Sequence, residues 1–337
     1  MINHVSTIFM FIITGQTATG KTKLALKLAK KHNGELINCD SRQIYQHLNI
    51  ITGKDIDTKS EFNLFRRLGD FDIGYFSIKF SNYQFSNNLT IKQFNNATKI
   101  WLYDIVDPKT PFSSFDWATC ARIVIKDIIK RGKTPIIVGG TYLYLKHLLY
   151  GFETEKIPPD WTLRKQLNKY TVLKLQKNLI KIAPEIFQKL NQSDVVNPQR
   201  LIRKIEIALY NCKRLSVDSR QSAVGSQQSA VNNFKLSDNF IGLKYKNKND
   251  LIKAITKRVN QRIKKWALDE VKLLLTKKYL SIDLGLKTIG YSQLIDYLSK
   301  KISLKEAIDI WTIKEIQYAK RQYTFMKKDS NIHWRII

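Results

Sequence analysis

The chain of 337 residues is 43% hydrophobic, enough to bury a large core, so a disordered or purely structural low-complexity chain is excluded. Its three cysteines, Cys39, Cys120 and Cys212, are scattered without C-x-x-C spacing, which excludes a disulfide framework or zinc knuckle and fits a reducing cytosol. With 57 Lys and Arg against 28 Asp and Glu, the formal charge of +29 favours a polyanionic partner, nucleic acid first and an acidic membrane surface second, although lysine-rich composition alone also raises it.

The apolar run Ile8-Phe9-Met10-Phe11-Ile12-Ile13 is too short for a signal peptide or a membrane span and reads as a buried strand. It leads into Gly15-Gln16-Thr17-Ala18-Thr19-Gly20-Lys21-Thr22, which matches the phosphate-binding pattern G-x-x-x-x-G-K-[ST]. A helix is predicted from about Lys21, with Leu24, Ala25, Leu28 and Ala29 on one face. Backbone N–H groups of such a loop curl around an anion and the helix N-terminus adds its dipole. Lys21 would neutralise phosphate oxygens, and the Thr22 hydroxyl is a ligand for Mg²⁺. A phosphate or diphosphate is the expected occupant.

Glu35-Leu36-Ile37-Asn38 is the next predicted strand, and Asp40-Ser41-Arg42-Gln43-Ile44-Tyr45 follows it. Ligands of an open parallel sheet sit at the carboxyl ends of its strands, so Asp40 projects toward the phosphate loop. A carboxylate there can bind metal or accept a proton, or it can cap a following helix, and position alone does not choose. Residues 55–98 are poorly patterned, aromatic and Asn-rich, and read as a flexible excursion or a small added hairpin. Lys99–Val106 and Thr134–Val138 are further strands, the second running into Gly139-Gly140-Thr141 and a helix over Tyr142–Tyr150. Short apolar strands alternating with helices indicate an α/β fold, a P-loop NTPase-like core whose parallel sheet is covered by helices on both faces.

From Pro158 the pattern turns helical. Asn197 and Pro198 form an N-cap and N1 pair, and Leu201, Ile202, Ile205, Ala208 and Leu209 mark one apolar face. Residues 219–233 carry Gln-Ser-Ala-Val twice in a Ser/Gln-rich stretch that reads as a mobile loop. Ile252, Ile255, Val259, Ile263 and Trp266 then mark a long amphipathic helix, and Ser303-Leu304-Lys305-Glu306 opens a last helix with a capping box. Residues 241–337 hold 22 Lys and Arg against 9 Asp and Glu, a net of +13, far from the phosphate loop in sequence.

Taken together, several separated segments make the chain resemble the tRNA dimethylallyltransferase, or tRNA isopentenyltransferase, family. They are Gly15–Thr22, Asp40–Tyr45, Ile50-Ile51-Thr52-Gly53-Lys54, Val138–Lys146, Asn197-Pro198-Gln199-Arg200-Leu201-Ile202-Arg203, Thr288-Ile289-Gly290-Tyr291 and Ala319-Lys320-Arg321-Gln322. The resemblance implies a phosphate loop that holds dimethylallyl diphosphate with Mg²⁺. It implies transfer of the five-carbon group to N6 of the adenosine immediately 3′ of the anticodon, with Asp40 as general base. It also implies a flipped target base bordered by Ser41, Arg42 and Gln43, with Thr141 beside the reacting groups. Arg164, soon after Pro159-Asp160 but shifted by about one residue from the family spacing, and Gln199 to Arg203 would contact the tRNA, joined by Lys320 and Arg321. One or both of Arg258 and Arg262 would bind diphosphate.

The implied organisation is a core over 1–151, a helical tRNA-contacting insertion over 152–218, a mobile loop over 219–240, and a basic helical part over 241–337 that completes the core and the tRNA clamp. A cytoplasmic monomer with no membrane partner is expected. The chain departs from the family in a longer connection from Asp55 to Thr98, in the missing His-rich approach to Asp104–Pro108, and in Gln16 where Pro is common. It stops shortly after His333-Trp334 without a zinc-finger extension, which implies the bacterial type. A small-molecule or nucleotide kinase shares the loop and sheet and is the alternative. An isopentenyltransferase acting on free adenine nucleotides and a basic RNA-binding protein with a vestigial loop are further ones.

Overall fold

The computed structural model describes residues 9–54, 56, 60–80, 97–152, 157–218 and 239–337, without side chains for 213–218. The chain forms two compact units, one comprising Met1–Leu149 with Val231–Ile337 and the other Tyr150–Ala230. The repeated Gln-Ser-Ala-Val stretch lies outside the described residues.

The larger unit opens with β1 (Phe11–Gly15), α1 (Lys21–Lys31) and β2 (Gly34–Asn38), followed by the hairpin of β3 (Asn63–Leu68) and β4 (Phe71–Lys79). Next come β5 (Ala97–Trp101), α2 (Ser114–Lys130), β6 (Thr134–Val138) and α3 (Tyr142–Tyr150). The smaller unit contains α4 (Trp161–Leu167), α5 (Val172–Ile182), α6 (Pro184–Gln188), α7 (Gln192–Val195) and α8 (Pro198–Asp218). The chain then returns to the larger unit with β7 (Phe240–Lys244), α9 (Lys248–Lys264), α10 (Ala267–Thr276), α11 (Tyr291–Leu298), α12 (Leu304–Met326) and β8 (His333–Ile336).

One eight-stranded sheet runs β3-β4-β5-β2-β6-β1-β7-β8. It is parallel from β5 to β8, and the hairpin is antiparallel to itself and to β5. The poorly patterned region thus contributes a hairpin, joined at its tip by Gly69 and Asp70. The 241–337 part is not wholly helical: it supplies β8 and nearly all of β7, which pairs with β1 in the middle of the sheet. Alternation along β1 explains the layering. Met10 and Ile12 join the core beneath α2, α3 and α9–α12, whereas Phe11 and Ile13 pack with Ala25, Leu26 and Ala29 of α1 on the other face. Among the described residues no helix is long and apolar enough to cross a membrane.

Gly15 is where β1 turns into the phosphate loop. Its φ is +128°, and a Cβ there would lie 2.1 Å from the Leu243 carbonyl oxygen, so only glycine lets β7 run this close. At the other end of the long helix, α9 stops at Lys264, and Trp266 leaves its apolar face to stand 71% exposed. The helical repeat that includes Trp266 in sequence is broken there by a residue in left-handed backbone, φ +69°.

Among its described residues the sheet carries one fully buried charge. Glu35 on β2 accepts hydrogen bonds from Trp101 Nε1 at 2.8 Å, from Arg131 at 2.6 and 2.7 Å, and from Lys133 at 2.9 Å. Burial pushes its carboxyl up, but the hydrogen bonds from Arg131, Lys133 and Trp101 outweigh that and bring it down to about 2 from 4.5. A depressed folded pKa contributes stability above the unfolded value and loses it as pH falls. Glu35 should therefore supply about 3 kcal/mol at neutral pH, lost between about pH 4.5 and pH 2. Denaturant titrations of wild type and Glu35→Gln across that range check this: the gap between them should close toward pH 2, and a constant gap would contradict it.

Candidate active site

The carboxyl ends of β1, β2, β5 and β6 open on one cavity of about 1070 Å³. Thr17 to Lys23 line it from β1, Asp40 and Gln43 from β2, Tyr103 and Asp104 from β5, and Val138 and Gly139 from β6. Arg258 and Arg262 on α9 and Gln322 on α12 complete the wall. Parallel strands with crossover helices place these sequence-distant loops on one rim.

The phosphate loop is tied down from several directions. Gln16 is buried and accepts from Tyr245 N at 3.3 Å, and it donates its own N–H to Leu243 O at 3.1 Å. Gly15 and Gln16 thus hold the loop against β7, while Thr17 to Thr22 face the cavity. Thr19 donates to Gln16 O at 2.7 Å, and Lys21 Nζ to Gly15 O at 3.2 Å and Gln16 O at 2.5 Å. Thr17 N donates to Gln322 Oε1 at 2.9 Å, and Gln322 Nε2 donates to Gly140 O at 3.1 Å. One buried amide therefore ties the phosphate loop to the end of β6. Sequence reasoning marks Gln322 only as part of a motif, because neither partner is near it in the chain.

The two candidate arginines differ in their partners. Arg258 donates to Thr17 Oγ1 at 2.9 Å, directly on the loop. Arg262 is buried and paired with Glu315 at 3.2 Å. Desolvation, and then the neighbouring Arg258 charge, lower its pKa to about 10, so it remains cationic at neutral pH. Both guanidinium groups pack over Gly53, where a Cβ would lie 2.6 Å from Arg262 and 2.8 Å from Arg258. Gly53, at φ +70°, thus gives two like charges room at the cavity wall.

Asp40 follows β2 with its N–H held by Asn38 Oδ1 at 3.1 Å, and its Oδ1 accepts from Arg42 N at 2.9 Å. This is a side-chain turn, with no helix beginning there. Ser41 N donates to Thr141 Oγ1 at 2.9 Å, and Thr141 N to Cys39 O at 3.1 Å, so Thr141 clips β6 to the segment that carries Asp40. Ser41, Arg42 and Thr141 are not among the cavity-lining residues. Gln43 is, with its amide donating to Thr52 O at 3.2 Å and Gly53 O at 2.9 Å. Lys54, fully buried, reaches the Asp104 carboxylate, Tyr45 O at 2.7 Å and Asn49 Oδ1 at 3.0 Å. Burial pulls the Lys54 ammonium down.

The insertion residues are placed differently. Leu201 and Ile202, 0% and 1% exposed, belong to the core between α5 and α8, so the expectation that they contact tRNA is corrected: the apolar face of α8 packs inward. Arg164 holds Glu206 at 2.7 and 2.9 Å, and Arg203 reaches the same carboxylate and Ile157 O at 2.8 Å. Gln199 is exposed and donates to Asn168 at 2.9 Å, and Arg200 is exposed beside Asp194. Lys320 and Arg321 are exposed on α12.

Among the described residues no group of three or more His, Cys, Asp or Glu gathers as a metal site. The oxygen-bearing side chains on the cavity wall include the Thr22 hydroxyl and the carboxylates of Asp40 and Asp104, the last paired with Lys54. Mg²⁺ keeps much of its water and binds through one or two protein oxygens plus phosphate, so this donor set fits it beside a bound diphosphate.

Fold and loop together define a P-loop α/β enzyme with the Asp40 carboxylate in the same cavity as the loop. Family models described as IPP transferase and isopentenyl transferase match residues 83–329 and 8–69. A tRNA dimethylallyltransferase of Acetivibrio thermocellus is 31% identical over 96% of this chain and 90% of its own. Solved tRNA isopentenylpyrophosphate transferases of Bacillus halodurans and Staphylococcus epidermidis are 29% and 27% identical, with TM-scores of 0.58 and 0.60. They are covered over 88% and 93% of their lengths by 96% and 98% of this chain. The chain belongs to the tRNA dimethylallyltransferase family, and its activity is prenyl transfer in tRNA modification.

Proposed function

We propose that the cavity binds dimethylallyl diphosphate and transfers its five-carbon group to N6 of the adenosine immediately 3′ of the anticodon. The observation that carries this reading is the single cavity shared by the phosphate loop, Arg258, Arg262 and the Asp40 carboxylate. The loop amides, Lys21 and the two arginines hold the diphosphate, and Ile56, Phe62 and Phe76 on the same wall offer apolar surface to the prenyl chain. Thr22 would hold Mg²⁺, which when bound adds positive charge to the departing diphosphate.

The target base leaves its stack to enter the cavity. Its amine is a weak nucleophile because the lone pair is delocalised into the ring. As the N6–carbon bond forms, the carbon–oxygen bond to diphosphate breaks and its electron pair leaves with the diphosphate. The N6 proton passes to Asp40. Thr141 and Ser41 fix the segment that carries that carboxylate, Gln43 fixes the turn under the arginines, and Arg42, exposed beside Asp40 and off the cavity wall, would meet the RNA. Gln199, Arg200, Lys320 and Arg321 meet the RNA, whereas Arg164 and Arg203 shape the insertion through Glu206. The protein would act as a monomer in the cytosol.

Calorimetric titration of the full chain with dimethylallyl diphosphate tests the donor. A Kd of about 1 μM to 1 mM is expected, weakened by chelation of Mg²⁺. ATP-dependent phosphorylation of a small acceptor, without donor binding, would overturn the reading.

A further inference from the structure

Two residues at one place in the larger unit adopt left-handed backbone that glycine would enter without strain. They are Trp266, φ +69°, and His47, φ +66°. Trp266 occupies the N-cap of α10 and makes no side-chain cap hydrogen bond, so helix geometry gives no reason for an indole. Packing gives none either. Trp101, Trp117 and Trp311 are fully buried and Trp161 and Trp334 half-buried, whereas Trp266 is 71% exposed.

Its position is informative. Trp266, Asn49 and Ile50 line both the large cavity and a neighbouring one of about 310 Å³. The smaller cavity continues over Leu273 and Leu274, with His47 also on its wall. Glu270 borders it, but its carboxylate accepts from the N–H groups of Asn49, Ile50 and Ile51 at 2.9, 2.7 and 3.2 Å and from the Tyr291 hydroxyl. The other acid, Asp269, is paired with Lys272 at 3.6 Å. Lys277 lines this cavity, and Lys265, Arg258 and Arg262 line the large one beside it. A flat exposed aromatic, an apolar slot and a cationic surround are the chemistry of a stacked nucleobase and its phosphates.

We propose that Trp266 is a stacking platform for the nucleotide adjacent to the flipped adenosine, with that neighbour's base lodged in the smaller cavity. This rests on the reading that the large cavity receives a tRNA adenosine. The shared wall is the argument for adjacency: a base on the far side of Trp266 is one residue-thickness from a base in the large cavity.

Glycine at 266 separates a structural role from a binding one, because it suits φ +69° better than tryptophan does. Trp266→Gly and Trp266→Phe are compared with wild type on an anticodon stem-loop carrying 2-aminopurine at either position flanking the target. Binding to wild type should quench the fluorophore at one flanking position. Trp266→Gly should lose that quenching and raise KM for tRNA about tenfold, with KM for dimethylallyl diphosphate unchanged and Tm no lower. Trp266→Phe should retain most of both. Quenching and tRNA KM indifferent to Trp266→Gly would overturn the proposal, as would a fall in Tm that accounts for the loss. Wild type that prenylates tRNA while Trp266→Gly is indifferent fails this proposal alone; wild type that does not prenylate tRNA fails the functional reading beneath it.

Discussion

Lys21→Ala should lower single-turnover prenyl transfer by at least about 10³-fold while the thermal unfolding midpoint stays near that of wild type. Lys21 lines the cavity with its ammonium on the Gly15 and Gln16 carbonyl oxygens, beside the loop where the departing diphosphate would gain charge. A donor aimed at developing charge in a partly closed site contributes far more to the transition state than to the bound substrate, so the effect falls on the rate. The loop keeps its other ties when the two Lys21 hydrogen bonds to Gly15 O and Gln16 O are lost. Thr19, Gln322 and the β7 contacts of Gln16 hold it, and those survive the substitution. A variant with near-normal transfer would place the diphosphate elsewhere.

Asp40→Asn should reduce the rate by about 10²–10⁴-fold with little change in tRNA affinity. The substitution is close to isosteric, and the side-chain oxygen that accepts from Arg42 N remains, so the turn after β2 is kept. What is lost is acceptance of the N6 proton as the carbon–nitrogen bond forms. Single-turnover rates with saturating tRNA, beside a direct binding measurement, separate the two. Unchanged chemistry would make Asp40 a turn residue only.

Much of the site is legible in the sequence because its parts are local. The loop pattern, the strand before it and the helix after it lie within one stretch, and strand-end positions put Asp40 and Gly139–Thr141 on one rim. The capping box at Ser303 and Glu306 and the N-cap at Asn197 are local too, and both form. What escapes depends on partners remote in the chain. β7 is a five-residue strand beside a low-complexity stretch, and its place is set by β1 more than 200 positions earlier. The hairpin of β3 and β4 is one of the two readings that residues 55–98 allow, and the sequence does not choose it because β3 is largely exposed and its register shifts between Leu64 and Arg66, which blurs alternation. Gln322 and the Lys54–Asp104 pair look ordinary in sequence and become informative only when tertiary packing joins them to the cavity. Leu201 and Ile202 show the converse: an apolar periodicity visible in sequence already assigns them to a core, and that assignment outweighs membership in a basic motif.

The most direct test of the account is nucleoside analysis of unmodified tRNA after incubation with the full chain, Mg²⁺ and labelled dimethylallyl diphosphate. The account predicts one labelled nucleoside, N6-dimethylallyladenosine, at the position immediately 3′ of the anticodon, with one diphosphate released per group transferred. Label on another base, on free adenine nucleotide in preference to tRNA, or on no nucleoside at all would contradict it.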